Sequence, residues 1–292
     1  MNLQEIESQI KVLHEDNHVL VVLKPRNMPS QADKTGDMDL LTMLKEYLKL
    51  KYQKPGNVYL GLVHRLDRPT GGVMVFAKTD KAAARLSEDL KKHEIQKKYL
   101  TVVVGTPRQA QGRLTHYLIK DERNNIVKCY VGAETGSKVA TLDYKVLDQN
   151  EGLALVEIDL ITGRSHQARV QMAHIGHPIF ADHKYGKLKI GGVPKSPKPI
   201  DAPQSENPEG DSPPRPTAPE PLFSQSNVFL QQVERPPVIS GYGKPLALWA
   251  YQLTFTHPVL RDTRVFKVFP PDDEIPWSLF SLEKHIQVSR PD

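Results

Sequence analysis

The chain of 292 residues has a single cysteine, Cys129, and no long apolar run. One thiol cannot form an internal disulfide or supply a set of thiolate metal ligands, so a reducing compartment is the simplest inference. No stretch approaches the roughly 18 apolar residues of a membrane-spanning helix. The N-terminal segment contains acids and no arginine, unlike a secretory signal or a transit peptide. We therefore expect a cytoplasmic protein that does not enter a membrane.

Neither sign of charge is in large excess. Lys and Arg number 39 against 34 Asp and Glu, which gives a net charge of +5. An excess of this size fits a solvated surface as well as it fits a site for nucleic acid. The 39% hydrophobic and 25% charged residues are typical of a globular protein that buries a core.

Proline is concentrated in residues 191–245, which hold 13 of the 24 prolines. This segment has few aromatic residues, so it offers little apolar surface to offset the entropy lost on folding. It also holds six acids and five bases, so the basic excess belongs to the rest of the chain. The composition predicts a largely disordered insert within a single domain that spans residues 10–290.

Outside the insert, apolar periodicity predicts many strands and a few helices. Helical spacing is present in residues 39–50, in a segment that starts at Thr79-Asp80 and ends near His93, and in residues 167–174. Asp39 and Thr79 are the expected N-caps of the first two helices. The strand-like segments are residues 10–14, 18–23, 73–77, 99–104, 139–146, 153–160, 251–256 and 264–269.

One segment, V-H-R-L-D-R-P-T-G-G-V-M-V-F-A-K at residues 63–78, combines charge with a rigid turn. It places the carboxylate of Asp67 on a Pro/Gly turn immediately before a hydrophobic strand. Arg65 and Arg68 flank it, so the pattern is typical of a reacting acid beside phosphate-binding side chains. An isolated D-x-P aspartate, however, more often hydrogen-bonds to its own backbone.

Four separated blocks together resemble the RluA-like RNA pseudouridine synthases. They are V-L-H-E-D-N-H-V-L-V-V-L-K-P at residues 12–25, H-R-L-D-R-P-T-G-G at 64–72, K-K-Y-L-T-V-V-V-G at 97–105 and I-T-G-R-S-H-Q-A-R-V-Q-M-A-H-I-G-H-P-I-F-A-D-H-K-Y-G at 161–186. One block alone would be a weak signal, but here four occur in the family's order. The resemblance implies an α+β fold with a largely antiparallel mixed central sheet, flanking helices and a cleft. It also implies isomerisation of uridine to pseudouridine in structured RNA, either rRNA or tRNA, without a cofactor.

The resemblance implies catalytic roles for three residues. Asp67 attacks or stabilises the anomeric carbon of the ribose, which requires an ionised carboxylate with a cation nearby. Arg169 matches the family's active-site arginine and is the expected cation; the alternative is a surface arginine on a helix. Tyr99 matches the tyrosine that stacks on the target base and assists proton transfer. Taken alone, an aromatic residue that opens a strand more often belongs to the core.

Five further residues are expected to bind RNA. Arg65 matches the residue that fills the gap left by the everted uridine, and a phosphate contact alone is the alternative. His64 is either an RNA contact or a support for the turn. Arg68, Arg164 and His166 complete this group.

The sequence departs from the family pattern in four places. Gly71 replaces the serine of Thr-Ser-Gly, which removes a hydroxyl and predicts a looser turn. Trp249 stands where many relatives have the histidine of L-x-x-H-A. The insert replaces a much shorter link, and the first block starts near Ile10, so we expect no N-terminal S4 RNA-binding domain. RNA affinity then depends on phosphate contacts around the cleft and falls with salt.

Other functions remain open. An RNA-binding or ribosome-assembly factor would keep the fold without turnover, but Asp67, Tyr99 and Arg169 are all present. A glycoside or nucleoside hydrolase would require a pair of carboxylates. The histidines match no zinc motif and no cysteine accompanies them in sequence, so we expect no metal. The expected partner is RNA, bound by a monomer.

Overall fold

The computed structural model describes residues 2–186 and 243–286. The chain divides into two units, of which the first comprises Met1–Leu188 and Pro237–Asp292. The second unit, Lys189–Pro236, lies outside the described residues, and so does all but the last three residues of the predicted insert at 191–245. All of the described residues belong to the first unit.

The strands in the described part of the chain form one mixed sheet. Its order is β1-β2-β4-β10-β5-β9-β8-β6-β7, with β3 on β4 and β11 on β10. The β4–β10 pair is parallel and every other pair in it is antiparallel. The strands are β1 (Lys11–Glu15), β2 (Val19–Lys24), β3 (Gly61–Leu62), β4 (Gly71–Ala77), β5 (Gln96–Val104), β6 (Gln111–Asp121), β7 (Ile126–Tyr130), β8 (Lys138–Asn150), β9 (Leu153–Leu160), β10 (Leu248–Thr256) and β11 (Thr263–Lys267). The expected α+β class with a largely antiparallel mixed sheet is confirmed.

Two of the helices begin at capping side chains that the sequence predicts. Asp39 accepts a hydrogen bond from the Thr42 amide and Thr79 accepts one from the Ala82 amide, as predicted. Within the described ranges no helix is both long and apolar enough to cross a membrane. The helices are α1 (Leu3–Gln9), α2 (Leu40–Lys51), α3 (Asp80–Lys91), α4 (Gln167–His174) and α5 (Leu282–His285), with a 3-10 turn at Trp277–Leu279.

Strand β4 lies between β2 and β10 and is buried along its whole length. Its side chains alternate between two apolar clusters, because successive residues of a strand point to opposite faces. Met74 and Phe76 pack in the cluster that includes α2, whereas Val73 and Val75 pack in the cluster that includes α3. Helices therefore cover both faces at the centre of the sheet, and the turn that carries Asp67 leads directly into its most buried strand.

The hairpin of β6 and β7 extends the far edge of the sheet and was not predicted. Its core is a separate small cluster in which Leu118 and Val127 meet Val170 and Ala173 of α4. Along β6 the burial alternates, and every second residue is exposed in the first half of the strand. The sequence shows the same alternation of polar and apolar residues. However, the exposed residues are mostly polar, so the apolar content of the segment is too low to predict a strand.

Candidate active site

The turn that carries Asp67 is held from below by Lys24, the last residue of β2. The Lys24 side chain is fully buried. Its Nζ donates to the carbonyl oxygens of Pro25 at 2.9 Å, Arg68 at 3.1 Å and Thr70 at 2.8 Å. An ammonium group has three donors, so all of them are used. Burial, partly opposed by the charge of Asp67, lowers the pKa of Lys24 to about 7.

Two glycines let β10 approach the end of this turn. Trp249 and Ala250 pair in parallel with Gly71 and Gly72. A Cβ atom on Gly71 would overlap Trp249 Cζ3 and would lie 2.8 Å from Cε3. Gly72 has a φ of +132°, and a Cβ there would lie 2.6 Å from the Ala250 Cβ. The Trp249 ring fills the space beside Gly71, which opposes the looser turn that the glycine predicts.

Arg169 on α4 links two carboxylates. Its Nη1 lies 3.5 Å from Asp67 Oδ2. Its Nε and Nη2 each donate to Asp182 over 2.8 Å in a bidentate pair. The Arg169 side chain is 7% exposed and that of Asp67 is 26% exposed. A desolvated guanidinium held in this way stabilises a negative charge on the more accessible Asp67.

Asp182 is a site residue that the sequence reasoning did not single out. Its side chain is 0% exposed. Burial alone would raise the pKa of this carboxyl, but the Arg169 bonds and the amides of Tyr185 and Lys184 hold it below its usual value. The sequence feature that could have identified it is F-A-D-H-K-Y-G, the end of the fourth block, in which Asp182 is the sole acid.

Tyr99 on β5 lies beside this pair and is only 7% exposed. Burial, together with the charge of Asp67, raises the pKa of the Tyr99 hydroxyl far above its usual value. The Tyr99 hydroxyl has no hydrogen-bond partner among the described residues. The structure thus brings the three residues expected to be catalytic into one site, with the phenol protonated at neutral pH.

His166 supports Arg169 indirectly, through Tyr185. It adopts a left-handed backbone conformation, with φ of 51°, at the N-cap of α4. Its Nδ1 lies 2.7 Å from the Tyr185 hydroxyl, and the Tyr185 ring lies beneath the Arg169 guanidinium at 5.3 Å. Burial is the larger influence on His166 and lowers its pKa, against the opposing charge of Asp67. A neutral His166 therefore orients the tyrosine that supports Arg169.

Arg65 and Arg164 line one cavity of about 450 Å³ beside the hairpin. Lys120 and Lys138 lie on the same wall, and Lys120 pairs with Glu122 at 2.6 Å. Arg65 is exposed, while Arg164 Nε donates to the Val139 carbonyl at 3.0 Å. The charged residues that border the cavity are thus four cations and one acid, a balance that suits a polyanion.

Arg68 and His64 lie close to the turn but have protein partners. Arg68 Nη2 donates to Asp37 at 2.5 Å. His64 Nε2 accepts a hydrogen bond from the Val75 amide at 3.2 Å. Burial, with a contribution from the charge of Lys97, lowers the pKa of His64 to about 3. For His64 this geometry favours the alternative of a support for the turn.

Among the described residues, His116, Cys129 and His174 have the spacing of metal ligands. Their nearest ligand atoms all lie within 4.8 Å of one another. The expectation that no cysteine accompanies the histidines is wrong, because Cys129 lies beside two of them in the fold. However, Gln171 Nε2 lies 3.0 Å from His116 Nδ1, which places the imidazole proton on the other nitrogen. Burial also raises the pKa of the Cys129 thiol to about 12, so the thiolate that would bind a metal does not form readily.

Comparison with solved structures identifies the same fold. The human protein RNA Pseudouridylate Synthase Domain Containing 4 superimposes with a TM-score of 0.63 over 92% of this chain and 91% of its own, at 24% identity. Human RNA Pseudouridylate Synthase Domain Containing 1 gives a TM-score of 0.59 at 19% identity, over 91% of this chain and 85% of its own.

Comparison of sequences identifies the family to which the chain belongs. The uncharacterized RNA pseudouridine synthase YhcT of Bacillus subtilis (strain 168) is 34% identical over 197 residues, which is 64% of this chain and 63% of that protein. The ribosomal large subunit pseudouridine synthase D of Yersinia pestis is 34% identical over 195 residues, 66% of this chain and 56% of that protein. The chain thus matches less than two thirds of the length of either relative. The family model described as RNA pseudouridylate synthase matches residues 18–174, more than half of the sequence. The chain belongs to the RNA pseudouridylate synthase family.

Proposed function

We propose that the protein isomerises specific uridines to pseudouridine in structured RNA, with rRNA and tRNA as the candidate substrates. The observation that carries the proposal is the Arg169 guanidinium, which lies 3.5 Å from the accessible Asp67 and is itself fixed by Asp182. This arrangement fixes a largely buried positive charge beside Asp67. The reaction needs an anion of this kind at the ribose, because the bond from the ribose to a uracil nitrogen must break and a bond from the same ribose carbon to a uracil carbon must form.

The base is placed by Tyr99 in this proposal. A flat, buried aromatic ring beside a carboxylate supports stacking of an extruded uracil. The Tyr99 hydroxyl has no partner in the described part of the chain and keeps its proton, so it is available to donate a hydrogen bond. Asp67 is therefore proposed as the group at the anomeric carbon, Arg169 as its counter-ion and Tyr99 as the base platform.

The proposed RNA contacts extend from the turn that carries Asp67 to the hairpin of β6 and β7. Arg65 and Arg164 border the cavity described above, and Arg65 is the proposed occupant of the gap left by the flipped base. Arg68 and His166 are proposed to contact RNA from the edge of the site, although their described bonds also support the turn and α4. His64 is proposed to support the turn. We further propose a cytoplasmic monomer that depends on no cofactor.

A hydrolase is less well supported by this geometry. Glycoside hydrolysis requires a second carboxyl group free to act on water or on the leaving group. The second carboxylate of this site, Asp182, is 0% exposed and accepts two bonds from Arg169. It is therefore occupied as a partner of Arg169.

The test is to map pseudouridines in total RNA with and without the gene and to complement the deletion with wild type or Asp67→Ala. We expect at least one site to disappear on deletion and to return with wild type alone. RNA binding by Asp67→Ala with no site lost on deletion would instead support the binding-factor alternative. Restoration of the site by Asp67→Ala would contradict the role proposed for the carboxylate.

A further inference from the structure

Lys97, two residues before Tyr99 on β5, has no side-chain hydrogen bond or ion pair with any described residue. The other cations around the site are engaged. Lys24 donates to three carbonyls, Arg169 pairs with two carboxylates and Arg68 pairs with Asp37. Arg65 is exposed, so it needs no partner, but Lys97 is half-buried. A cation that is partly withdrawn from water without a partner is unfavourable unless something pairs with it.

The position of Lys97 directs its amine toward the site. Residues 97 and 99 point to the same face of β5, because side chains alternate along a strand. The charge of Lys97 lowers the pKa of His64 on the Asp67 turn, which places the two groups close together. A Cβ on Gly163 would lie 3.3 Å from Lys97 Nζ, and the loop of Gly163, Arg164 and Ser165 lines the cationic cavity. Lys97 Nζ thus lies between the turn of the reacting acid and the wall of that cavity.

We propose that Lys97 binds the RNA phosphodiester next to the target uridine. The inference rests on the proposed function and adds a residue to it. A lysine amine is a point charge that suits phosphate oxygens, whereas the planar groups of a base favour stacking or paired donors. Lys97 lies about 7 Å along the strand from Tyr99, at roughly 3.3 Å per residue. When a base is flipped, the adjoining backbone is drawn toward the pocket that holds it.

The electrostatics of Lys97 agree with this assignment. Burial lowers the pKa of the Lys97 amine, with some opposition from the charge of Asp159. A phosphate at Nζ would replace the hydrogen bonds to water that the amine has lost and would raise that pKa again. The free energy returned on pairing then contributes to RNA affinity.

The adjacent residue provides a matched control. Lys98 points to the opposite face of β5, where its Nζ pairs with Glu157 at 3.0 Å, and it lines a different cavity. Lys97→Gln and Lys98→Gln remove the same charge from neighbouring positions of one strand. Any general effect of lost positive charge is therefore common to both variants, and only a specific contact separates them.

The experiment measures RNA affinity against salt concentration for wild type and both variants. The probes are a short fluorescein-labelled oligouridine and an unmodified transcript of a candidate rRNA or tRNA substrate. We expect Lys97→Gln to weaken binding about tenfold and to make the slope of log Kd against log salt shallower by nearly one. Lys98→Gln should match wild type in both respects. Turnover of the transcript should show a raised KM with a smaller change in kcat, and Lys97→Arg should recover part of the affinity.

Equal affinity and equal slope in the two glutamine variants would overturn the proposal. So would a loss of affinity in Lys97→Gln that comes with a lower melting temperature and an unchanged slope, since that pattern indicates a packing role. If wild type binds the transcript but forms no pseudouridine in it or in total RNA, the proposed function fails instead. That result is distinguishable because it appears in the wild-type protein, independently of either variant.

Discussion

Trp249 fills the space that a side chain at residue 71 would occupy. The two residues pair across the parallel strands β10 and β4, and a Cβ on Gly71 would lie 2.8 Å from Trp249 Cε3. The ring cannot move aside freely, because Trp249 is 5% exposed and its Nε1 donates to the Val268 carbonyl at 2.9 Å. The two departures from the family pattern, glycine for serine and tryptophan for histidine, are therefore one coupled feature at the base of the Asp67 turn.

This contact predicts a coupling between substitutions. Gly71→Ser should lower the free energy of unfolding by about 1–3 kcal/mol and should reduce turnover, because the new side chain overlaps the indole ring. Trp249→His should also destabilise the protein by removing buried packing. The double variant should be more stable than the sum of the two losses predicts, by about 0.5–3 kcal/mol in a denaturation cycle. Additive losses would mean that the ring and the turn adjust independently.

The link from Arg169 to Asp182 predicts that Arg169→Ala has two effects. Turnover should be lost, because Asp67 no longer has its counter-ion. The free energy of unfolding should also fall by about 3–5 kcal/mol, because the Asp182 carboxylate is left buried and unpaired. Arg169→Ala/Asp182→Asn is the control, since it removes that stranded charge. We expect the double variant to recover part of the stability in urea unfolding and none of the turnover. A single variant that melts like wild type would contradict the buried pair.

Tyr99 predicts separable contributions from its ring and its hydroxyl. Tyr99→Phe keeps the stacking surface and removes a phenol whose pKa is raised by burial and by Asp67. If the hydroxyl takes part in proton transfer, kcat should fall about 10²-fold or more with little change in RNA affinity. Tyr99→Leu, which keeps apolar bulk and loses the flat ring, should lower both kcat and RNA affinity. A Phe variant with the wild-type kcat would restrict Tyr99 to stacking.

The lowered pKa of Lys24 predicts that the free energy of unfolding depends on pH. Its pKa is about 7 in the folded protein, below the value of 10.5 for an ordinary lysine. Between these values the unfolded chain binds the extra proton, so the free energy of unfolding rises with pH by up to about 1.4 kcal/mol per unit. Below about pH 7 both states are protonated and this gain is absent.

The measurement compares urea unfolding of wild type and Lys24→Met at pH 7, 8 and 9. The stability difference should shift in favour of wild type as the pH increases, because the methionine cannot titrate. Parallel stability profiles would show that the three carbonyl bonds keep Lys24 charged throughout this range. In either case Lys24→Met should lower turnover, since the carbonyls of Pro25, Arg68 and Thr70 lose their shared donor.

Local features of the fold were predictable from short segments of sequence. The caps Asp39 and Thr79 were identified because a capping side chain acts within one turn of helix. Helix α1 was missed, although Asn2 and Glu5 form a capping box at its start. The hairpin of β6 and β7 was missed because one of its faces is polar, which reduces the apolar signal on which strand prediction depends.

The sequence by itself determined the carboxylate on its turn, the blocks that resemble the family and the alternation of most strands, because each depends on neighbours within a few residues. Only the tertiary structure decided which distant groups surround Asp67. The groups that meet there come from separate strands and loops. They are Lys24 beneath the turn, Asp182 behind Arg169, Trp249 against Gly71, and Lys97, which has no partner among the described residues. The order of strands in the sheet brings them together, and that order is fixed by burial over the whole domain. No local spacing in the chain encodes it.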